Sequence, residues 1–210
     1  MLTPPLETEI ADLAARYGAP RRVAAELRGA PFDPLFMTDR FSEVCMVVRR
    51  PNGRLITAIK TFYPPGAFRL LTGGVGHGEP IEAALLREVA EETGLEVAVR
   101  RFLAVIEYHL DATTDDRRRT TDDGRRTTDH YHFATFAFLL DELGGTLAAH
   151  DPAERIGAFR EVAVDELPAL AETLDHVGDR FDPEIGGSWG DWGRFRAVVH
   201  RVVYEALCET

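Results

Sequence analysis

An α/β domain is expected from this 210-residue chain, and three observations carry that expectation. Strand-like runs recur between residues 43 and 164. One well-bounded amphipathic helix, residues 80–93, interrupts them. Helical periodicity marks both ends of the chain. About 45% of the residues are hydrophobic, enough for a substantial core in one domain.

The elements follow in order. Residues 1–29 read as mainly helical, because Ile10, Leu13, Ala14 and Tyr17, then Val23, Ala24 and Leu27, recur at three- and four-residue steps. Gly18-Ala19-Pro20 separates the two runs. Residues 30–40 read as a linker, since Pro31 and Pro34 block regular structure. Residues 43–48 and 55–61 are strand-like and flank Pro51-Asn52-Gly53, so a hairpin is expected there. The loop at 63–66 leads to a short strand, 68–71, and a glycine-rich stretch. In the helix 80–93, Pro80 suits the first turn and Gly94 the stop. Ile81, Leu85 and Val89 form its apolar stripe. Strands are expected at 96–108, 132–140 and 158–164, and a helix at 165–174. Residues 189–207 form a last amphipathic helix, with Trp192, Phe195, Val199, Val202 and Val203 on one side.

Residues 111–129 (DATTDDRRRTTDDGRRTTD) repeat TTDD and hold no apolar residue larger than alanine. A segment that cannot bury itself reads as a loop between strands. It is either a tolerated insertion or an arginine-bearing lid over an anion.

Composition excludes several classes. The formal net charge is −11, which argues against coating duplex nucleic acid. No apolar run approaches the ~20 residues that span a bilayer, and the first residues lack the pattern of a secretory signal. Cys45 and Cys208 fit neither a disulfide framework nor zinc spacing, so a cytoplasmic location is expected. Of 24 cations, 23 are arginine and one is lysine, Lys60. Charge is also uneven: the first 72 residues are net positive, with ten cations against seven acids.

The chemistry concentrates between Gly73 and Leu95, GGVGHGEPIEAALLREVAEETGL. Glu88, Glu91 and Glu92 stand at i, i+3 and i+4, so their carboxylates gather on one helix face. Either arginines such as Arg87 offset the repulsion at a solvated face, or a hard divalent cation does. A glycine-rich loop entering the helix can approach a phosphate or a metal closely.

This segment resembles the Nudix box, G-x5-E-x7-R-E-U-x-E-E-x-G-U, with U a bulky aliphatic residue. Gly73, Glu79, Arg87, Glu88, Val89, Glu91, Glu92, Gly94 and Leu95 fill every fixed position. Chance would produce this at fewer than roughly one start site in 10⁷. The resemblance implies an α/β/α sandwich around a mixed β-sheet, with helical N- and C-terminal extensions. The expected boundaries are 1–36 for the first extension, 37–170 for the domain, and 171–210 for a helical extension packed on the domain or on a partner in a homodimer.

The resemblance further implies a hydrolase that cleaves a phosphoanhydride bond in a nucleoside diphosphate linked to another group, using Mg²⁺ or Mn²⁺. The partner is then a small nucleotide-type molecule, with no nucleic acid duplex and no membrane. A non-catalytic nucleotide-sensing module is the alternative, although such members usually lose one of the acids. By position, Glu88 and Glu92 are expected metal ligands. Glu91 is a further ligand, a water-orienting group or the general base. Arg87 positions the acids, and Glu79 braces the loop. Gly73 and Gly94 are structural. Thr72 offers its main-chain carbonyl to the metal, although the usual Leu-Pro-Gly-Gly approach is Leu70-Leu71-Thr72-Gly73 here. Glu107 and Glu154 are candidates for an extra acid, and Lys60 and Arg69 for phosphate contacts.

Some features remain open at this level. His77, His109, His130 and His132 could lie near the site or merely on strand edges and loops. The aromatic, glycine-punctuated segment 189–195 could pack on the domain, pair with a second copy or stack on a base. Subfamily markers downstream of the box are absent, so the nucleotide is not named by sequence.

Overall fold

The computed structural model describes residues 2–29, 32–35, 40–111 and 131–209. Its centre is a mixed seven-stranded sheet. In chain order the elements are α1 (Pro4–Tyr17), β1 (Arg21–Arg28), β2 (Arg40–Arg49), β3 (Leu55–Lys60), β4 (Arg69–Gly76), α2 (Ile81–Thr93), β5 (Leu95–Asp111), β6 (Tyr131–Gly145), β7 (Ile156–Val162), α3 (Leu167–Asp175) and α4 (Trp189–Cys208). A two-residue ladder between 181–182 and 187–188 precedes α4.

The strands lie in the order β1-β5-β6-β2-β4-β3-β7. β1 runs parallel to β5 and β2 parallel to β6, while the other neighbours are antiparallel. β2 is central. Its Val44, Met46 and Val48 join one core, with α1 and α2; Cys45 and Val47 join the other, with α3 and α4. Burial on both faces explains why the run Val-Cys-Met-Val-Val does not alternate with polar residues. The result is an α/β/α sandwich, as expected. Aromatic contacts knit both layers: Phe102 stacks on Phe138 at 4.3 Å in the α1–α2 core, and Phe195 of α4 sits 4.6 Å from Tyr108 of β5.

Three local expectations are corrected. Residues 21–28 form a strand, not a second helical run. Val23, Ala25 and Leu27 pack inward at period two, and pairing with β5 supplies the backbone partners that a helix would have had. The 43–48 and 55–61 strands do not form a hairpin ladder. The turn at Pro51-Asn52-Gly53 exists, with Gly53 at φ 82°, but β2 and β3 pair only at Arg49 and Leu55. β4 inserts between them, because its Leu70, Leu71 and Val75 need burial on both faces. Finally, Gly73, Gly74 and Gly76 are not loop but the end of β4, so the turn into α2 is only residues 77–80. Residues 112–129 of the Arg/Asp/Thr segment and His130 fall outside the described residues, as does the side chain of His132.

Candidate active site

The end of β4, Glu79 of the following turn and one face of α2 line a polar cleft of about 460 Å³. Thr72, Gly73, Glu79, Arg87, Glu88 and Glu154 are among its lining residues, with Lys60 opposite. α2 is held in place at both ends. Gly94 terminates it in the left-handed conformation, φ 65°, where a Cβ would also meet the His150 ring at 2.4 Å. At the other end Glu79 accepts from the Gly76 N–H at 3.0 Å, which fastens the turn.

Arg87 ties the helix to the strand. It donates to Glu79 at 2.8 and 3.0 Å, to Glu88 at 2.8 Å, to Glu91 at 3.0 Å and to the Gly74 carbonyl at 2.9 Å. These bonds to carboxylates raise its already high pKa further. Arg87 in turn holds the Glu79 carboxyl below the usual range, against the opposing effect of burial. Gly73 is required by a close approach: a Cβ there would lie 2.0 Å from the Glu88 carboxyl carbon. Only glycine lets Glu88 rest on the strand.

The box acids differ in environment. Glu91 is the most exposed of the three, at 40% of its side chain. Glu88 is mostly buried, and desolvation raises its pKa despite Arg87. Glu92 is fully buried, and among the described residues neither carboxylate oxygen meets a partner in hydrogen-bond geometry. Burial pushes its pKa up to about 8; Arg69 and Lys60 oppose the shift, while Glu154 and Glu88 add to it. Glu154, just ahead of β7, accepts from Lys60 Nζ at 2.8 Å. Burial raises its carboxyl, but the ammonium outweighs burial and leaves it below the usual range. The same ammonium is 4.0 Å from Glu92.

The structure therefore brings together Glu79, Arg87, Glu88, Glu92, Glu154, Thr72, Gly73 and Lys60, with Glu91 on the rim. Glu107 is not among them. It lies on β5 opposite Ala24 of β1, where its charge acts on Arg22. Arg69 is buried below the cleft, donating to Tyr63 Oη at 3.1 Å, the Leu70 carbonyl at 2.8 Å and Thr72 Oγ1 at 3.1 Å. His77 is exposed in the turn and does not line the cleft.

Two buried residues escaped the sequence reading. Glu43 of β2 and Arg196 of α4 pair at 2.7 and 2.8 Å, and Thr135 Oγ1 donates to Glu43 at 2.9 Å. The signal was available. Glu43 is a charge leading into the most apolar run of the chain, and Arg196 falls four residues after Trp192, on the buried stripe of its helix. Such placements demand a partner.

The donors suit a hard cation. An unpaired, buried carboxylate is expensive unless protonated or ligated. Glu92 is such a group, and Glu88 and Glu154 stand beside it. Among the described residues no three acid, imidazole or thiol side chains already form a ligand cage. Arg87 and Lys60 account for this, since they hold Glu88, Glu91 and Glu154 in ion pairs.

A mixed sheet between helical layers, with acids on the helix that follows a glycine-bearing strand, defines an α/β protein with an acid-lined polar cleft. Comparison with known proteins names the family. The model described as NUDIX domain matches residues 39–184, and the chain belongs to the NUDIX family. An ADP-ribose pyrophosphatase of Methanocaldococcus jannaschii is 33% identical over 130 residues, 62% of this chain and 64% of that one. The mitochondrial NAD(P)H pyrophosphatase NUDT13 of Homo sapiens is 30% identical over 92 residues, 43% of this chain and 26% of its own length. The chain thus spans just under two thirds of the first relative and about a quarter of the second. A solved NUDIX hydrolase from Nitrosomonas europaea is 15% identical with a TM-score of 0.46, covering 77% of this chain and 88% of that one.

Proposed function

We propose that this protein is a divalent-metal-dependent hydrolase of a nucleoside diphosphate linked to another group, cutting the phosphoanhydride bond. The observation that carries the reading is Glu92, buried with neither oxygen hydrogen-bonded among the described residues, beside Glu88 and Glu154 in a cleft bordered by Lys60. Family membership supports it, as do the names of the two relatives.

In this reading Glu88, Glu92 and Glu154 hold Mg²⁺ or Mn²⁺, with the Thr72 carbonyl as a further donor. When bound, such an ion supplies neutralisation of phosphate charge and acidification of water. The chain's own residues do the rest. Arg87 and Glu79 fix the acids and the strand end in one rigid unit. Glu91, the most exposed acid, takes the proton of the attacking water. Lys60 turns from Glu154 toward the phosphate oxygens. The substrate is a small nucleotide-type molecule. Residues 37–170 are the proposed catalytic domain, with the C-terminal helix packed on it. Two thiols without a disulfide suit a reducing, cytoplasmic location.

The test is phosphate or nucleotide release from ADP-ribose, NADH, nucleotide sugars, dinucleoside polyphosphates and nucleoside triphosphates, each with Mg²⁺ or Mn²⁺. Release from at least one, abolished by chelator, is expected. No release from any of them overturns the reading in favour of a nucleotide-sensing module.

A further inference from the structure

Glu154, the cleft acid that does not belong to α2 or to the turn before it, is carried by the segment between β6 and β7. That segment is bonded first to α2. The Ala148 N–H donates to the Thr93 carbonyl at 2.9 Å, and the His150 and Asp151 N–H groups donate to the Glu91 carbonyl at 2.9 and 3.2 Å. Carbonyls in the last turn of a helix have no partner within it, so these bonds register the segment on α2.

Asp151 then caps a single 3₁₀ turn, Pro152–Glu154. Its Oδ1 accepts from the Ala153 N–H at 2.8 Å, and its carbonyl accepts from the Glu154 N–H at 3.1 Å. The turn closes at Arg155, which is left-handed at φ 53°. Among the described residues it is the one non-glycine with positive φ. A side chain is uncommon in that conformation and persists where its surroundings over-determine it. Three contacts do so here. The Arg155 carbonyl accepts from the Thr61 N–H at 2.9 Å, the guanidinium lies 4.3 Å over the centre of the Phe62 ring, and it pairs with Glu184. Glu154 is thus suspended between α2 on one side and the end of β3 on the other. There Lys60 stands 2.8 Å from it and 4.0 Å from Glu92.

We infer that Asp151 and Arg155 are positioning residues, which hold Glu154 against Glu92 before any substrate arrives and make it a built part of the cation site. The inference rests on the metal reading of Glu154 given above. Neither residue lines the cleft. Asp151 Oδ1 is committed to the turn, and the Arg155 guanidinium to Phe62 and Glu184, so both act through the Glu154 backbone. A cap needs a side-chain oxygen but not a charge, which gives the inference a sharp signature.

The experiment is calorimetric titration of Mn²⁺ into the full chain with no nucleotide present. Glu154→Gln should weaken binding about tenfold or more, and Asp151→Ala at least about fivefold. Asp151→Asn, which keeps the cap and loses the charge, should bind like the parent. In the Glu154→Gln background Asp151→Ala should have no further effect, since it acts through a ligand already removed. Arg155→Gly adopts the same backbone freely but lacks the tether, should also weaken binding, and serves if Asp151→Ala does not melt cooperatively. Parent-like binding by Asp151→Ala, a loss in Asp151→Asn equal to that in Asp151→Ala, or an undiminished loss in the Glu154→Gln background overturns the inference. Parent-like binding by Glu154→Gln overturns it together with the metal reading of Glu154. The hydrolase is scored apart: the expected Mn²⁺ pattern without hydrolysis of any nucleotide leaves the positioning role standing and removes the hydrolase.

Discussion

Glu92 concentrates the electrostatic strain of the cleft in one side chain. With neither oxygen hydrogen-bonded among the described residues and its pKa at about 8, the carboxyl is held mostly protonated at neutral pH by burial. Replacing it with glutamine removes the charge and keeps the shape. Glu92→Gln should leave the metal-free melting temperature unchanged or higher, yet lower turnover by at least about 10³-fold, a loss of about 4 kcal/mol in transition-state stabilisation. Near-wild-type turnover at saturating Mg²⁺ would refute the role. Lys60 yields a second test. Its ammonium lies 2.8 Å from Glu154 and 4.0 Å from Glu92, in competition with any cation those acids would bind. At an effective dielectric near 20 such a charge acts with several kcal/mol before relaxation. Lys60→Met should therefore tighten Mn²⁺ binding about tenfold in calorimetric titration and raise KM for the substrate. Weaker Mn²⁺ binding would show that Lys60 supports the acids rather than competing with a metal. At this scale the sequence was informative about Arg87, Glu88 and Glu92, because their spacing on one helix is local. It showed Glu43 and Arg196 as charges in apolar surroundings but not as partners of each other, because they are 153 residues apart and meet only through the packing of β2 on α4.

Elements show the same division between local and long-range information. α2 was legible because period, Pro80 and Gly94 agree within fourteen residues. β1 was not, because Arg-Arg-Val-Ala-Ala-Glu-Leu-Arg satisfies a helical and a strand period equally well, and β5 decides between them. The 43–61 hairpin failed for a related reason: a turn signal specifies a reversal, not which strand fills the space between its arms. α4 was recognised as amphipathic, but its buried polar residues gave no hint of their bonds. His200 is the sharpest case. Its Nδ1–H donates to the Arg196 carbonyl at 2.8 Å, and its Nε2 accepts from the Leu70 N–H at 3.0 Å, which pins α4 to β4. Burial lowers its pKa from 6.5 to about 4. The unfolded chain thus binds a proton on this residue below about 6.5, and the fold binds it only near 4. The native state is favoured in full above pH 6.5 and loses roughly 2–4 kcal/mol from this group as pH falls toward 4. His200→Gln retains an acceptor but does not titrate. Denaturant midpoints between pH 7 and 4.5 should fall less steeply in the variant than in the parent. Parallel slopes would refute a neutral buried His200.

For the molecule as a whole, the arrangement of charge has a thermodynamic consequence. The net charge is −11, and no helix among the described residues is long and apolar enough to cross a membrane. On the proposed function, an acidic protein acting on a polyanion must change sign locally. The first 72 residues contribute an excess of cations, and α2 contributes the acids that a divalent ion would cover. Glu88 and Glu92 are buried in the fold and solvated in the unfolded chain, so a metal that binds them stabilises only the native state. At a hundredfold excess over Kd that linkage amounts to about 2.7 kcal/mol. For a chain of this size each kcal/mol moves the melting temperature about 2–4 °C, so saturating Mn²⁺ should raise it by roughly 5–10 °C. Glu92→Gln should abolish most of the rise, and Glu107→Gln should not, because Glu107 lies on the β1 side of the sheet. A metal bound adventitiously to the acidic surface would behave differently. Its effect would survive Glu92→Gln and fade with added salt, since exposed charges are screened and buried ones are not. Calorimetric scans of the three proteins with and without Mn²⁺, at low and high NaCl, separate these cases. An equal shift in all three would remove the metal from the cleft.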